Sequence, residues 1–381
     1  MMPTEFFILV SDGIKPAEDR HEGICPVCYN CAPQHKIIAR RRWDDETSPA
    51  VYMKSGERST ANHEHRDAGS FQLFYKGMLS IDSGHYTLYG SASHANQQST
   101  IAHNGILIKN PALDNGDSYH GSQRKMKETR TNASWLADEG YRIGIPEGVK
   151  YEVQDGVCEY AYLAGNNAPA YDKETGIEYL SRRMLAVFPE CEKNPLIFAT
   201  YDSMVTNTPE SEKVILLHTQ PGPVIDGNTV IANNDGASLV AQYISPSELG
   251  LEYIGGGDDP DMWGRVEISP KLGNLRDDVL SVMYVKDIED SDMLNIREIK
   301  DADVLGAEVM DYALLFVRDL RACPDKITVD TGSATKYMIS GLSAGTWSAT
   351  VGDKTVTVTV GEDELFAKVE LPAGKITLEK K

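Results

Sequence analysis

Residues 61–84 read ANHEHRDAGSFQLFYKGMLSIDSG, and the second half of this stretch indicates the fold. Phe71, Leu73 and Tyr75 recur at every second position, which is the period of a β-strand. Near the other end of the chain, threonines alternate with valines over residues 355–359. The same period at both ends predicts a protein that is mainly β.

Strand-like segments recur between those two places, and turn clusters separate them at residues 111–116, 166–169 and 255–260. This spacing favours stacked antiparallel sheets over alternating strands and helices. We therefore predict a large antiparallel β-sandwich with a small C-terminal β domain. The strand-like segments are 184–188, 214–218, 229–232, 266–268 and 279–285.

Three regions differ in their sequence pattern. Residues 1–36 are poorly patterned and are predicted to be a lead-in segment. The strand period runs through residues 37–322, which are predicted to form the sandwich, although residues 301–320 also fit a helix. Small β-forming residues and glycine turns dominate residues 323–381, which are predicted to form the C-terminal β domain.

The chain of 381 residues has a formal net charge of −20, from 37 basic and 57 acidic residues. This balance argues against a nucleic-acid partner, which requires a basic face. No apolar run approaches the length that crosses a bilayer, so we expect a soluble protein without a membrane partner. Residues 1–13 lack the basic region and the cleavage site of a signal peptide.

One local cluster of positive charge stands out against the acidic background. Arg41, Arg42 and Arg66 are candidate contacts for sulfate or carboxylate groups, because the guanidinium fork matches such anions. A cationic groove of this kind reconciles the net charge with an anionic substrate. The alternative is that these charges are solvated strand faces. The whole cluster consists of Lys36, Arg40, Arg41, Arg42, Arg58, Arg66 and Lys76.

Three of the six cysteines lie close together, as Cys25, Cys28 and Cys31, between His21 and His35. Cysteines and a histidine at such spacing are typical of a structural zinc site. No second cysteine pair follows downstream, so the favoured interpretation is a loop with free or paired thiols. Six cysteines are too few for a disulfide scaffold at this length.

Histidines and carboxylates concentrate between residues 62 and 104. His63, His65 and Asp67 recur at every second position, and on a strand all three would project from one face. Asp82 ends a second predicted strand, and His103 lies in a third. Two imidazoles and one carboxylate with an open position suit Zn²⁺. The alternative is that hydrogen bonds satisfy each histidine separately.

An ordered set of short motifs resembles the heparinase II/III family of polysaccharide lyases, and within it the heparinase II type. The likeness covers residues 37–316 and implies the β-sandwich portion of that family, which is a super-sandwich. It also implies that the family's zinc ligands correspond here to His65, Asp82 and His103. The motifs that carry the resemblance are 39–44, 61–71, 75–77, 81–84, 100–104, 216–221 and 265–270.

The resemblance also implies catalytic residues. The histidine that corresponds to His63 lies beside the scissile bond in the family and takes part in catalysis. A family tyrosine that follows the Asp-Ser-Gly turn corresponds to Tyr89 or Tyr86, with His94 close by as a substrate contact. The zinc is then structural and holds His63 in register, while Asp67 orients a ligand histidine.

The implied activity is cleavage of uronate-containing acidic glycans, such as heparin or heparan sulfate, by β-elimination. Family members carry an N-terminal α/α toroid, and residues 1–36 are too few to form one. We therefore expect the toroid to be absent or to come from a partner. One alternative is a non-catalytic glycan-binding portion of a lyase, and another is a metal-dependent hydrolase or oxygenase. The family resemblance implies a periplasmic or secreted protein, and a homo-oligomer is left open.

Overall fold

The computed structural model describes residues 25–32, 34–43, 48–58, 64–83, 98–113, 121–124, 138–255 and 264–381. Within these ranges the chain forms 26 strands, five short 3-10 helices and no α-helix, which confirms the prediction of a mainly β protein. In the same ranges no helix has the length and apolarity to span a membrane. The 3-10 helices are Thr100–Ala102, Glu139–Tyr141, Ala168–Ala170, Lys173–Thr175 and Leu320–Ala322.

The first sheet is a five-stranded antiparallel meander in chain order. Strand pairing begins at Cys28, so the end of the predicted lead-in already belongs to this sheet. All five residues of its fourth strand are buried, because the sheet has protein on both faces. Its strands are β1 (Cys28–Cys31), β2 (Lys36–Arg40), β3 (Ala50–Lys54), β4 (Phe71–Tyr75) and β5 (Gly77–Ser80).

The second sheet has eight antiparallel strands and forms the centre of the molecule. Its order is β12-β13-β14-β17-β10-β9-β8-β7, so neighbouring strands are joined mostly by hairpins on either side of a central pair. The strands are β7 (Ile145–Gln154), β8 (Val157–Asn166), β9 (Ile177–Val187), β10 (Ile197–Thr206), β12 (Val224–Asp226), β13 (Thr229–Asn234), β14 (Ala237–Ser245) and β17 (Arg276–Asp287).

The third sheet has the order β15-β16-β11-β6. One apolar core joins it and the first sheet to the same face of the eight-stranded sheet, with Leu73, Phe198 and Ile215 as members. This arrangement is the predicted sandwich, and strands occur at each of the five predicted segments. The strands of the third sheet are β6 (Ile106–Lys109), β11 (Glu212–His218), β15 (Leu249–Ile254) and β16 (Arg265–Pro270).

The last two sheets form a second, smaller sandwich around Trp347 and Leu315. One of them also packs through Phe316 on the outer face of the central sheet. Its strands are β18 (Ile296–Lys300), β19 (Val304–Val309), β20 (Tyr312–Val317), β22 (Lys336–Ser340) and β25 (Phe366–Glu370). The other consists of β21 (Lys326–Asp330), β23 (Gly345–Val351), β24 (Lys354–Val360) and β26 (Lys375–Lys380).

The smaller sandwich begins earlier in the chain than residue 323. Residues 301–320, for which a helix was an alternative, contain β19 and β20, both fully buried. A strand buried on both faces has a continuous apolar run, which periodicity does not separate from a buried helix. Because β20 pairs in parallel with β22, one sheet crosses the predicted boundary between residues 322 and 323.

Candidate metal centre

Three candidate ligands meet at one end of the first sheet. His65 lies in the loop between β3 and β4, Asp82 follows β5, and His103 follows the 3-10 helix Thr100–Ala102. One ligand atom of each residue lies within 4.8 Å of the other two. The structure therefore brings together the three residues for which a shared metal was predicted.

The candidate ligand atoms of His103 and Asp82 are buried without hydrogen-bond partners in the described part of the chain. His103 is fully buried, and its Nδ1 lies 3.1 Å from Asp82 Oδ1. The rings of His65 and His103 are 5.0 Å apart between centroids. Among the described residues, neither ring nitrogen of His103 nor Asp82 Oδ1 has a hydrogen-bond partner of acceptable geometry. Buried polar atoms without partners are costly, and a metal bound between them would remove that cost.

The donor set fits a zinc ion. Zinc sites in proteins combine imidazole nitrogens with carboxylate oxygens in four-coordinate geometry. Two histidines and one aspartate supply three ligands, which leaves one position for water or another group. Burial lowers the pKa of His65 to about 4, so this ring is neutral at pH 7, as a ligand must be.

The pKa of His103 is shifted in the opposite direction to that of His65. Burial by itself lowers the pKa of the His103 ring, but the charges of Asp82 and Asp67 and the close contact with the Asp82 carboxylate together outweigh burial and raise the pKa above its ordinary value. A divalent ion would take over that role, because it neutralises the same carboxylate and replaces the proton on the ring. Asp82 and His103 are therefore placed to hold a positive charge between them, either a proton or a metal ion.

A buried lysine fixes the loop that carries His65. Lys54 is only 2% exposed, and its ammonium lies 2.5 Å from Asp67 Oδ1 and 3.4 Å from Glu64 Oε1. Burial raises the pKa of Asp67, but the charge of Lys54 and the bond to it, together with the two nearby histidines, outweigh burial and lower that pKa to about 2. The two carboxylates flank His65 in sequence, so Lys54 holds both ends of this short segment. Sequence reasoning missed Lys54.

Two local predictions at the centre are wrong. Residues 64–67 are not a strand, and Asp67 bonds to Lys54 rather than orienting a ligand histidine. The segment before His103 is a 3-10 helix instead of a strand. Its Thr100 hydroxyl donates to Arg66 O at 2.8 Å and accepts from the backbone N–H of Gln123. These two bonds take the place of the strand pairing that was predicted.

Asn104 follows His103 and binds the strands that surround the metal centre. Its side-chain amide donates to Phe71 O, Ser80 Oγ and Ile81 O at 2.7–3.0 Å. Its oxygen accepts the backbone N–H of His218 at 2.7 Å. One buried amide thus joins β4, the end of β5 and the end of β11. An asparagine in an apolar segment beside a histidine was the available sequence signal for it.

His218 lies behind the centre at the end of β11 and is almost fully buried. Burial lowers its pKa to about 3, and the charges of Arg265 and His103 act in the same direction. The ring is therefore neutral over the ordinary pH range. Its carbonyl oxygen accepts the backbone N–H of Ile81, which ties β11 to the segment that carries Asp82.

The candidate arginines occupy two different places. Arg66 lies beside the centre and donates to Ser99 Oγ and, at 3.4 Å, to Gln123 O. Arg41 and Arg42 follow β2, where Arg40 pairs with Ala50, at the opposite end of the first sheet from Lys54. A five-residue strand separates the two ends by roughly 13 Å. The structure therefore does not bring Arg41 and Arg42 to the metal centre.

The remaining predicted residues divide into two groups. His63, Tyr86, Tyr89 and His94 lie outside the described residues, and so does His21. In the described part of the chain, the three clustered cysteines and His35 do not form a group with ligand atoms close enough for a metal. Cys28 instead points into the core beside Cys158, where a hydrogen bond of the Cys158 thiol to Cys28 and burial raise the pKa of Cys158.

Comparisons with known proteins support a relation to heparinases. Residues 298–380 match the family model described as the heparinase II C-terminal domain. The fold is similar to that of heparan sulfate lyase HepC from Pedobacter heparinus, with a TM-score of 0.52 and 17% identity over 74% of this chain and 41% of that chain. It is also similar to a heparinase III gene product, with a TM-score of 0.51 and 15% identity over 75% and 41% of the two chains.

No curated protein sequence matches the chain. The identities to the solved structures are low, so the likeness shows a shared fold. The chain has the β-sandwich architecture found in heparinases and spans about 41% of the length of each of these two structures.

Proposed function

We propose that this chain is the metal-bearing β portion of a polysaccharide lyase that cleaves uronate-containing acidic glycans, such as heparin or heparan sulfate, by β-elimination. The observation that carries the proposal is the convergence of His65, Asp82 and His103 on a sandwich of the heparinase type, with unsatisfied ligand atoms on Asp82 and His103. The two similar structures are named as lyases or heparinases of this glycan class.

The reaction requires groups that the sequence supplies near the centre. A base removes the proton at C5 of the uronate, and an acid protonates the leaving O4. We assign these roles to His63 and to Tyr89 or Tyr86, as the family resemblance implies. A positioned group of this kind contributes about 10²–10⁴-fold to the rate.

The described residues have a positioning role in this proposal. His63 lies two residues before His65, and the flanking Glu64 and Asp67 are both bound by Lys54. Fixing His65 therefore restricts where His63 can lie. A bound zinc ion would supply Lewis acidity and hold its ligands in one orientation.

A direct experiment tests both parts of the proposal. Purified protein is assayed for zinc content by elemental analysis and then incubated with heparin, heparan sulfate and other uronate glycans. We expect about one zinc per chain and an increase in the ultraviolet absorbance of the unsaturated uronate product. Zinc-loaded protein that forms no such product from any of these glycans would refute lyase activity for this chain.

A second candidate is a glycan-binding portion that requires a separate toroid for cleavage. The observation in its favour is that the chain spans only 41% of the two similar structures. It predicts that the chain binds the glycan without forming an unsaturated product. Addition of a separately produced α/α toroid domain would then restore cleavage, whereas the first candidate predicts product from the chain alone.

A further inference from the structure

Two adjoining cavities lie at the end of the first sheet opposite the metal centre. One has a volume of about 580 Å³ and reaches Tyr75 and Lys76, and the other has a volume of about 480 Å³ and reaches Lys336 and Lys368. Arg41, Arg42 and Glu190 line both cavities. The two therefore form one cleft, bordered by the first sheet, the central sheet and the smaller sandwich.

Most of the cations in this cleft have carboxylate partners. Lys76 lies 2.7 Å from Asp287, and Lys368 lies 3.3 Å from Glu152. Lys336 lies 3.0 Å from Asp311. Within each pair the two charges neutralise each other, so these lysines provide little attraction for an added anion.

Arg41 differs from these lysines. Over the described ranges, its guanidinium has no hydrogen-bond acceptor and no carboxylate at ion-pair distance, and its Nε is buried. An unmatched guanidinium that is partly withdrawn from water is costly, and a bound oxyanion compensates that cost. The chain has a net charge of −20. An arginine with no acidic partner among the described residues is therefore a candidate site for an external anion.

Six acidic residues line the cleft: Glu190, Glu192, Asp287, Asp155, Glu159 and Glu370. Glu190, Glu192 and Asp155 are all exposed to solvent. Exposed charges are screened by water and salt and contribute little to a nearby interaction. Asp287 and Glu159 are partly buried but are paired with Lys76 and Lys368, so the buried donor of Arg41 stays unmatched among the described residues despite the carboxylates that surround it.

We propose that Arg41, with Arg42 beside it, forms an oxyanion subsite for a sulfate or carboxylate group, separate from the metal centre. The planar fork of a guanidinium binds two oxygens of such a group. The inference rests on the proposed function, because the occupant is an anionic group of the same acidic glycan. The subsite increases the affinity for the glycan by binding it away from the bond that is cleaved.

Calorimetric titration with a sulfated heparin hexasaccharide, and separately with sodium sulfate, tests this subsite. We expect Arg41→Gln to weaken hexasaccharide binding roughly tenfold, the effect of losing one charge-assisted contact. Arg41→Lys keeps the charge without the fork and should lose less. The matched control is Lys193→Gln, which removes an exposed, carboxylate-paired cation just outside the cleft and should change binding by less than about twofold.

The outcomes separate this inference from the proposed function. If the wild type binds or cleaves the glycan and Arg41→Gln behaves like Lys193→Gln, the subsite is refuted and the proposed function stands. If sodium sulfate binds through Arg41 but the hexasaccharide does not, the glycan is refuted as the occupant. Thermal melting checks the fold, and Arg41→Gln should melt as the wild type does because its side chain loses no protein partner.

Discussion

His103 Nδ1 lies 3.1 Å from Asp82 Oδ1, although one residue follows a 3-10 helix and the other follows β5. Asn104 holds these two segments together through bonds to Ser80 and Ile81. The geometry of the ligand set is therefore determined by the fold itself. Metal binding to the native state alone should then stabilise that state.

The first prediction concerns that stabilisation. Zinc at about 100 times its dissociation constant should stabilise the native protein by about 2.7 kcal/mol, and a chelator should reverse the effect. His103→Gln should abolish the zinc-induced rise in melting temperature. His35→Gln is the matched control, because His35 is outside the ligand group, and should retain the rise. A rise that persists in His103→Gln would contradict the assigned ligand set.

The second prediction concerns Lys54. Lys54→Met leaves Asp67 and Glu64 without their buried partner, so the free energy of unfolding in urea should fall by about 3–5 kcal/mol. Zinc affinity should fall too, since the loop of His65 is released. Lys150→Met is the control, because its pair with Glu364 is more exposed, and it should cost less than about 1 kcal/mol.

A double variant isolates the interaction of Lys54 with Asp67. Lys54→Met combined with Asp67→Leu removes both charges, so its loss of stability should be smaller than the sum of the two single losses. Additive losses would show that the pair does not stabilise the loop.

The third prediction concerns pH and His218. Its folded pKa of about 3 is below the ordinary value of 6.5, so the unfolded chain takes up a proton first as the pH falls. The stability that this difference provides is complete above pH 6.5 and is lost as the pH falls toward 3. His218 should contribute about 1.4 kcal/mol per pH unit to the slope of the metal-free protein.

Urea unfolding at a series of pH values measures this slope. His218→Gln should flatten the dependence between pH 6.5 and 4 relative to the wild type, whereas His35→Gln should change it less. Equal slopes in the wild type and His218→Gln would show that this ring does not titrate as its burial requires.

Much of the centre was predictable from the sequence, and the rest depended on distant contacts. His65, Asp82 and His103 were predicted because their residue types and the wider motifs indicate a metal. Lys54 was missed because its partner Asp67 lies 13 residues away in the loop that follows β3, and no local period reports such a contact.

The fold, too, was predictable from the sequence only in part. Period two indicated the strands of the large sandwich, but β19 and β20 are buried on both faces and lack that period. The 3-10 helix before His103 depends on bonds from Thr100 to Arg66 and Gln123, which are remote in sequence. Both differences come from tertiary contacts that override local pattern.

The fourth prediction concerns Asn104. Asn104→Leu removes an amide whose two N–H groups serve three acceptors and whose oxygen accepts one bond, so the buried carbonyls of Phe71 and Ile81 lose this donor. Each such group costs about 1–3 kcal/mol, so urea unfolding should show a loss of about 3 kcal/mol or more. Zinc affinity should fall in parallel, because Asn104 adjoins His103 and fixes the segment of Asp82.

Asn228→Ala is the matched control for this change. Asn228 makes one exposed bond to Ser247 O at 3.1 Å, and its loss should alter stability by less than about 0.5 kcal/mol. If Asn104→Leu unfolds like the wild type and binds zinc with the same affinity, Asn104 does not support the centre. If it loses stability but keeps zinc affinity, the amide joins the strands without positioning the ligands, and Lys54 remains the residue that orients His65.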